Sequence, residues 1–443
     1  MGALDGLPVT PAAVAEALGD EASVACMLRV ETALARVLGR HALIPAAAAE
    51  AIARAVGEAT IDRQRLREGT ERAGFPVIEL VRQLRDQAGE SAREYVHWGA
   101  TTQDVLDTGL VLQIRQALAP MEEDLAKLIA SLAGLAERHR GQVMAGRTHT
   151  QQALPITFGY KVATWLAPLL RHRARLRELK PRLLVLQFGG AVGTLAAYGE
   201  HGPALYAAMA RELGLGVPTA PWHSQRDGFV DFAGWLALVG GSLGKLAQDV
   251  LLLTQTEVGE VREGTDPARG GSSAMPQKSN PVASEQILAA ARANAALLST
   301  MHQALLAEHE RGTHALQLER FSLPQMVSLT ASALARTLFV SERLAVDPTR
   351  MRENLEASQG TILAEAIRNA LAVAIGRDGA DALLKDACRI ALVEGRPLVS
   401  VLRERTEVPL DWEKLGDPAR YLGSADWFVD RVLAEAREGA GAG

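Results

Sequence analysis

The chain has 443 residues, too many for one ordinary compact core unless long helices build an extended bundle. Hydrophobic residues make up 48% and aromatics only 4%, and Ala and Leu, which lose little on entering a helix, carry the apolar content, so an all-α protein is expected. The net charge is −5, from 47 basic and 52 acidic residues interspersed without a basic block, which gives no reason to expect a nucleic acid or a membrane as partner.

Cys26 and Cys388 stand far apart, with no CxxC and no Cys/His cluster, which argues against a disulfide framework or a structural zinc and suits a reducing cytoplasm. The start, MGALDGLPVT, lacks a basic stretch followed by an apolar one, and no uninterrupted apolar run approaches the roughly 18–20 residues that span a bilayer. A soluble, unprocessed protein is expected. Residues 1–100 read as short helices punctuated by turn residues: Thr10-Pro11 precedes AAVAEALG, and EASVACMLRVETALARVLGRHALIP closes at Ile44-Pro45. They form an N-terminal helical domain in this reading.

From Thr101 the segments lengthen, and 101–345 reads as a central long-helix bundle. DVLDTGLVLQIRQALAPMEEDLAKLIASLAGLAERH and the stretch from Phe158 to Leu179 are its first members. After Asp227, Phe229, Phe232, Leu236, Val239, Leu243, Leu246, Val250 and Leu253 recur at three- and four-residue steps, the seam of a helix packed lengthwise on others. Further long helices are expected from Val282 to about Leu305 and from Leu323 to about Leu344. Pro348 marks the start of a C-terminal helical domain, 346–443, in which TILAEAIRNALAVAIG and DGADALLKDACRIALVEG are ordinary helices and the final AGAG is expected to be disordered.

Between two long helices lies GTDPARGGSSAMPQKSNPV, residues 264–282, so rich in Gly, Pro and Ser that it cannot be helical. A loop of this length between ordered helices is more often functional than idle. It is no phosphate loop, because Gln277 rather than Gly precedes Lys278 and no strand leads into it. It fits an anion site instead: backbone N–H groups, the Lys278 charge, the Asn280 amide and the Ser272 and Ser273 hydroxyls could together hold the doubly charged enediolate that forms when a proton leaves the carbon beside a carboxylate.

The string GSSAMPQKSNP, Gly271 to Pro281, resembles the GSSxMPxKxNP signature of the fumarase/aspartase superfamily at every fixed position. HWGATTQD, His97 to Asp104, and GRTHTQQALPITFG, Gly146 to Gly159, are similar to that superfamily's other blocks, in the right order. The resemblance covers nearly the whole chain. It implies a three-domain, all-α fold with a twenty-helix core in a homotetramer, each active site being built from three subunits, and carbanion-type elimination or addition next to a carboxylate without any cofactor. Residue by residue, it implies Ser272 as general base, Lys278 and Asn280 as stabilisers of the carbanion, and His149 as general acid or carboxylate holder. It places His97, Thr101, Thr102, Thr148, Gln151, Ser273, Met275 and Arg311 around a small di- or tricarboxylate. Serine is a poor base, and Ser272 would need loop amides and cations to depress its pKa. Thr101 and Thr102 also stand where a helix cap would.

Within the superfamily, MLRVETALARVLGRHALIP, YVHWGATTQDVLDTG, FGYKVATWLAPLLRHRARL, LQFGGAVGTLA and PWHSQRD are most similar to the 3-carboxy-cis,cis-muconate cycloisomerase branch, which closes a lactone by adding a carboxylate oxygen across a conjugated double bond. In the last of these segments Arg226 is expected as a carboxylate clamp, since a guanidinium fork suits bidentate binding. Ser279 stands where Arg is usual between Lys278 and Asn280, and EHERGTHALQLERFSLP, Glu308 to Pro324, lacks the branch's tryptophans. The alternatives are a fumarate-releasing C–N lyase, of the adenylosuccinate or nitrosuccinate kind, and a catalytically silent structural homologue. No metal is expected: HExxH is absent, and His309 and His314, five apart, share no helix face.

Overall fold

The computed structural model describes residues 9–264, 270–271, 275 and 278–438. The chain is overwhelmingly helical, as the Ala- and Leu-rich composition requires. Five helices dominate: Thr102–Arg138, Phe158–Leu183, Asp227–Leu253, Val282–Gln303 and Ala315–Arg343. All eight residues of the seam expected after Asp227 are buried within the chain itself. Burying an apolar side chain of this size is worth about 1.5–3 kcal/mol, so the seam alone accounts for much of that helix's hold. By length and composition the Asp227–Leu253 helix could cross a membrane, but half of its most apolar window is buried inside the fold, as in a core helix.

The chain separates into two compact units, one of Met1–Asp124, His172–Gly241 and Ala290–Ala333, the other of Leu125–Arg171, Ser242–Ala289 and Leu334–Gly443. Every internal boundary falls inside one of the five long helices. In the first unit the short helices Ala12–Leu18, Asp20–Arg40, Ala46–Gly57, Arg63–Ala73 and Val77–Gln87 precede the Thr102–Arg138 helix. Asp20–Arg40 stops four residues short of the expected Pro45, which instead begins the next helix as its N-cap. In the second unit Asp347 caps the Pro348–Glu356 helix by accepting from the Arg350 N–H at 2.9 Å, so the boundary expected at Pro348 is a helix start. The two helices read after it form one run, Ala364–Glu394, broken at Gly376, whose φ of 75° only glycine adopts freely. Ile367, Leu371, Ala387, Leu398 and Leu402 make the core of that region. The AGAG tail lies outside the described residues.

The strands were not foreseen. Val143–Thr148 and Gln151–Thr157 form an antiparallel hairpin, with Thr148 opposite Gln151 and Arg147 opposite Gln152, and the register shifts between Ala145 and Arg147. Val261–Glu263 pairs antiparallel with Leu344–Val346.

Candidate active site

In the first unit the site begins where the chain turns into the Thr102–Arg138 helix. His97 and Gly99 both adopt left-handed backbone, φ 63° and 72°, and a side chain at 99 would run into the Tyr198 ring, 2.6 Å away. The Tyr198 hydroxyl donates to the Trp98 carbonyl at 2.6 Å, which locks the bend. His97 Nδ1 then meets Glu31 Oε1 at 2.5 Å. Burial alone would lower the His97 pKa, but the Glu31 carboxylate beside it, helped by Asp104, outweighs burial and raises it.

Asp104 is the organising group, and the sequence reading missed it. Its buried carboxylate accepts from the backbone N–H of Thr101 at 3.0 Å, of Gly189 at 2.8 Å and of Gly190 at 2.9 Å, and lies 2.8 Å from His223 Nε2. The bond to Thr101 is also a helix cap: a side chain in the first turn binds the N–H of the residue before it. The Thr101 and Thr102 hydroxyls themselves have no partner among the described residues, and both residues are half-buried. Arg311 reaches the same place from the far side, donating to the Ala191 carbonyl at 2.6 Å. Thus Thr101, Asp104, the 189–191 turn and Arg311 form one connected set. No spacing rule links Asp104 to Gly189, Gly190 or His223, which lie 85 and more positions away.

Arg226 does not act as the expected clamp. It is fully buried, and its guanidinium is occupied on two sides, by Asp107 at 2.7 and 3.0 Å and by Glu319 at 2.6 and 2.7 Å. Trp222 and Phe229 stack on it, at 4.9 and 5.2 Å. Burial alone would lower its pKa; Asp107 and Glu319 outweigh that and hold it above the ordinary value. A bidentate fork was the right chemistry, but it serves two internal carboxylates and leaves no edge for a ligand.

In the second unit His149 and Thr150 form the two-residue turn of the hairpin, with φ of 49° and 66°. Positive φ at both central residues is the turn type that matches strand twist, usually met by Asn-Gly. Thr148, His149 and Gln151 sit on this exposed tip. Just below its tip the hairpin is anchored: Arg147 donates to buried Glu260 at 2.7 and 2.9 Å, and Asn354 Nδ2 donates to the same carboxylate at 2.8 Å. The ends of the Gly-rich loop are stitched together. Asn280 N–H donates to the Gly270 carbonyl at 2.8 Å, Lys278 N–H to the Met275 carbonyl at 3.0 Å, and Gly271 bridges Ser279. Gly270, at φ 71°, is required there, since a Cβ would lie 2.3 Å from the Asn280 oxygen. Glu263 caps the following helix, accepting from Ala283 N–H at 3.0 Å and Ser284 N–H at 2.5 Å. Met275 and Lys278 are exposed and Asn280 half-buried, while Ser272 and Ser273 lie outside the described residues. Among the described residues no cluster of three or more His, Cys, Asp or Glu side chains could hold a metal ion.

A family model described as "Lyase" matches residues 16–293. The chain is 49% identical over 417 residues to 3-carboxy-cis,cis-muconate cycloisomerase of Pseudomonas aeruginosa, covering 92% of this chain and 91% of that protein. It is 42% identical over 428 residues to trans-aconitate decarboxylase 1 of Mycosarcoma maydis, covering 95% and 86%. Among solved structures, the 3-carboxy-cis,cis-muconate lactonizing enzyme from Pseudomonas putida superposes with a TM-score of 0.94 at 42% identity, covering 99% of this chain and all of that one.

Proposed function

Because the chain belongs to the lyase family of the fumarase/aspartase superfamily, we propose that it lactonises 3-carboxy-cis,cis-muconate, or a close tricarboxylate, through an enediolate. The observation that carries this reading is the 49% identity to a cycloisomerase along 92% of the chain. A carboxylate oxygen of the diene adds to the β-carbon of a conjugated double bond, the electron pair moves onto the neighbouring carboxylate as an enediolate, and a proton delivered to the α-carbon completes the lactone. Read backwards it is a β-elimination, so one site serves both directions. Lys278 and Asn280 stabilise the enediolate, Ser272 exchanges the α-proton, and His149 holds or protonates a carboxylate. The free hydroxyls of Thr101 and Thr102 suit a carboxylate, and His97, Arg311, Thr148, Gln151, Ser273 and Met275 complete the surround.

We read the assembly as a homotetramer in which three subunits build each site, in the cytoplasm and without a cofactor, and the chain as three domains, 1–100, 101–345 and 346–443. The exposed hairpin tip supports the shared site, since His149 stands in solvent in the single chain. Leu238 and Leu252, 52% and 40% exposed on a long helix, support the assembly.

The test follows the ultraviolet absorbance of the diene with purified protein. Ser272→Ala is expected to slow its loss about 10²–10⁴-fold, the usual worth of a proton-transfer group. If the wild type leaves the diene intact, the lactonisation reading is wrong, and release of fumarate from adenylosuccinate or nitrosuccinate then identifies a C–N lyase.

A further inference from the structure

We propose that Glu31 is a positioning residue for His97: its carboxylate accepts from Nδ1–H of the doubly protonated ring and so aims Nε2–H, the other donor of that ring, at a substrate carboxylate. The inference rests on the reading above only in taking His97 to border the substrate.

Three observations carry it. Glu31 stands on the Asp20–Arg40 helix, 66 positions from His97, and is 1% exposed. Its Oε1 meets Nδ1 at 2.5 Å, while its other oxygen, Oε2, is buried without any partner, so His97 is the one side chain that this carboxylate serves among the described residues. A buried carboxylate is costly unless it is paired, so a carboxylate with half its capacity idle points to the imidazole as the reason for its place. The second observation is the backbone. His97 and Gly99 are both left-handed, and Tyr198 fills the space a side chain at 99 would need. This bend brings His97 to Glu31. Third, His97 Nε2 has no protein partner among the described residues, and the side chain keeps 16% of its surface open. One nitrogen is fixed and the other is left available, as in sites where a carboxylate orients a working histidine.

Three charged groups act on this imidazole from the surrounding elements: Glu31, Asp104 on the Thr102–Arg138 helix and Arg85 on the Val77–Gln87 helix. Both carboxylates favour the imidazolium, whereas Arg85 opposes it. A cation at Nε2–H suits a di- or tricarboxylate better than a neutral ring does.

The experiment compares full-length wild type, Glu31→Gln, Glu31→Asp, His97→Asn and the double variant Glu31→Gln/His97→Asn. Two readouts are used. The first is the pH dependence of diethylpyrocarbonate modification at His97, located by peptide mass, which needs no substrate. The reagent attacks the neutral ring, so Glu31→Gln is expected to move its onset about 1 pH unit lower, with Glu31→Asp in between. The second is KM and kcat against pH. Glu31→Gln is expected to raise KM about tenfold at pH 8 with less effect at pH 6 and little on kcat, and to add nothing in the His97→Asn background. An unmoved modification profile overturns the pairing. A moved profile with KM unchanged, or with additive losses in the double variant, reduces Glu31 to a structural ion pair. If the diene proves not to be a substrate, the modification profile and its protection by fumarate decide the question in its place: no protection at His97 overturns the inference.

Discussion

Removing the guanidinium of Arg226 leaves Asp107 and Glu319 buried with their charges unbalanced. Truncation of one member of such a set costs about 3–5 kcal/mol, so Arg226→Met is expected to lower the melting temperature sharply in calorimetry while the KM of the protein that remains folded stays close to wild type. A clamp on substrate would do the reverse. His97 makes a separate contribution that depends on pH. Its folded pKa lies above the ordinary 6.5, so its stabilisation is fully present below about that value and is lost as pH rises through the raised value. The melting temperature of wild type is therefore expected to fall more steeply between pH 6 and 9 than that of His97→Asn. Candidates marked by residue type and spacing could be named from sequence, whereas residues whose importance comes from their partners could not. Asp104 is one acid among many until the fold brings two glycine amides and a histidine to it. Arg226 was noticed for its fork, but only the positions of Asp107 and Glu319 reveal what the fork binds.

At the scale of elements, the hairpin turn holds two consecutive non-glycine residues at positive φ and carries the sharpest expectations. Thr150, β-branched and at φ 66°, is a genuine backbone outlier. Relief of left-handed strain is worth about 1–2 kcal/mol, partly offset by the 0.5–1 kcal/mol that glycine loses in flexibility, so Thr150→Gly is expected to raise stability slightly. If it lowers the melting temperature, the strain is not where the backbone angles put it. Arg147→Ala removes the cation opposite buried Glu260 and is expected to cost about 3–5 kcal/mol, visible as faster proteolysis near the tip. The long helices were legible because a three- and four-residue rhythm lasts over seven turns, and all eight seam residues are buried. The hairpin was not, because its strands are short and its turn is His-Thr where Asn-Gly would have announced it. The Ala315–Arg343 helix begins eight residues before the expected Leu323 and takes in Pro324, a residue that more often stops a helix than sits inside one.

For the whole molecule, the proposed tetramer gives a direct expectation. Leu238→Glu places a charge on an exposed apolar position of a long helix, and sedimentation is expected to show smaller species that have lost activity with little change in helix content. A wild type that sediments as a monomer would overturn the assembly. The two compact units could not be read from sequence, since punctuation by Pro and Gly marks where helices end, and here the divisions run through helix middles. The hairpin's construction has a further meaning for how such a protein diversifies. Directly beside its exposed tip of Thr148, His149 and Gln151, the hairpin is anchored through Arg147 to Glu260, which Asn354 also holds. In the site proposed above, substitutions at the tip alter what touches a ligand and leave the Arg147–Glu260 ion pair in place. Under the proposed function, exchanges at the tip are a route by which lineages reach new substrates while the three anchoring residues stay as they are.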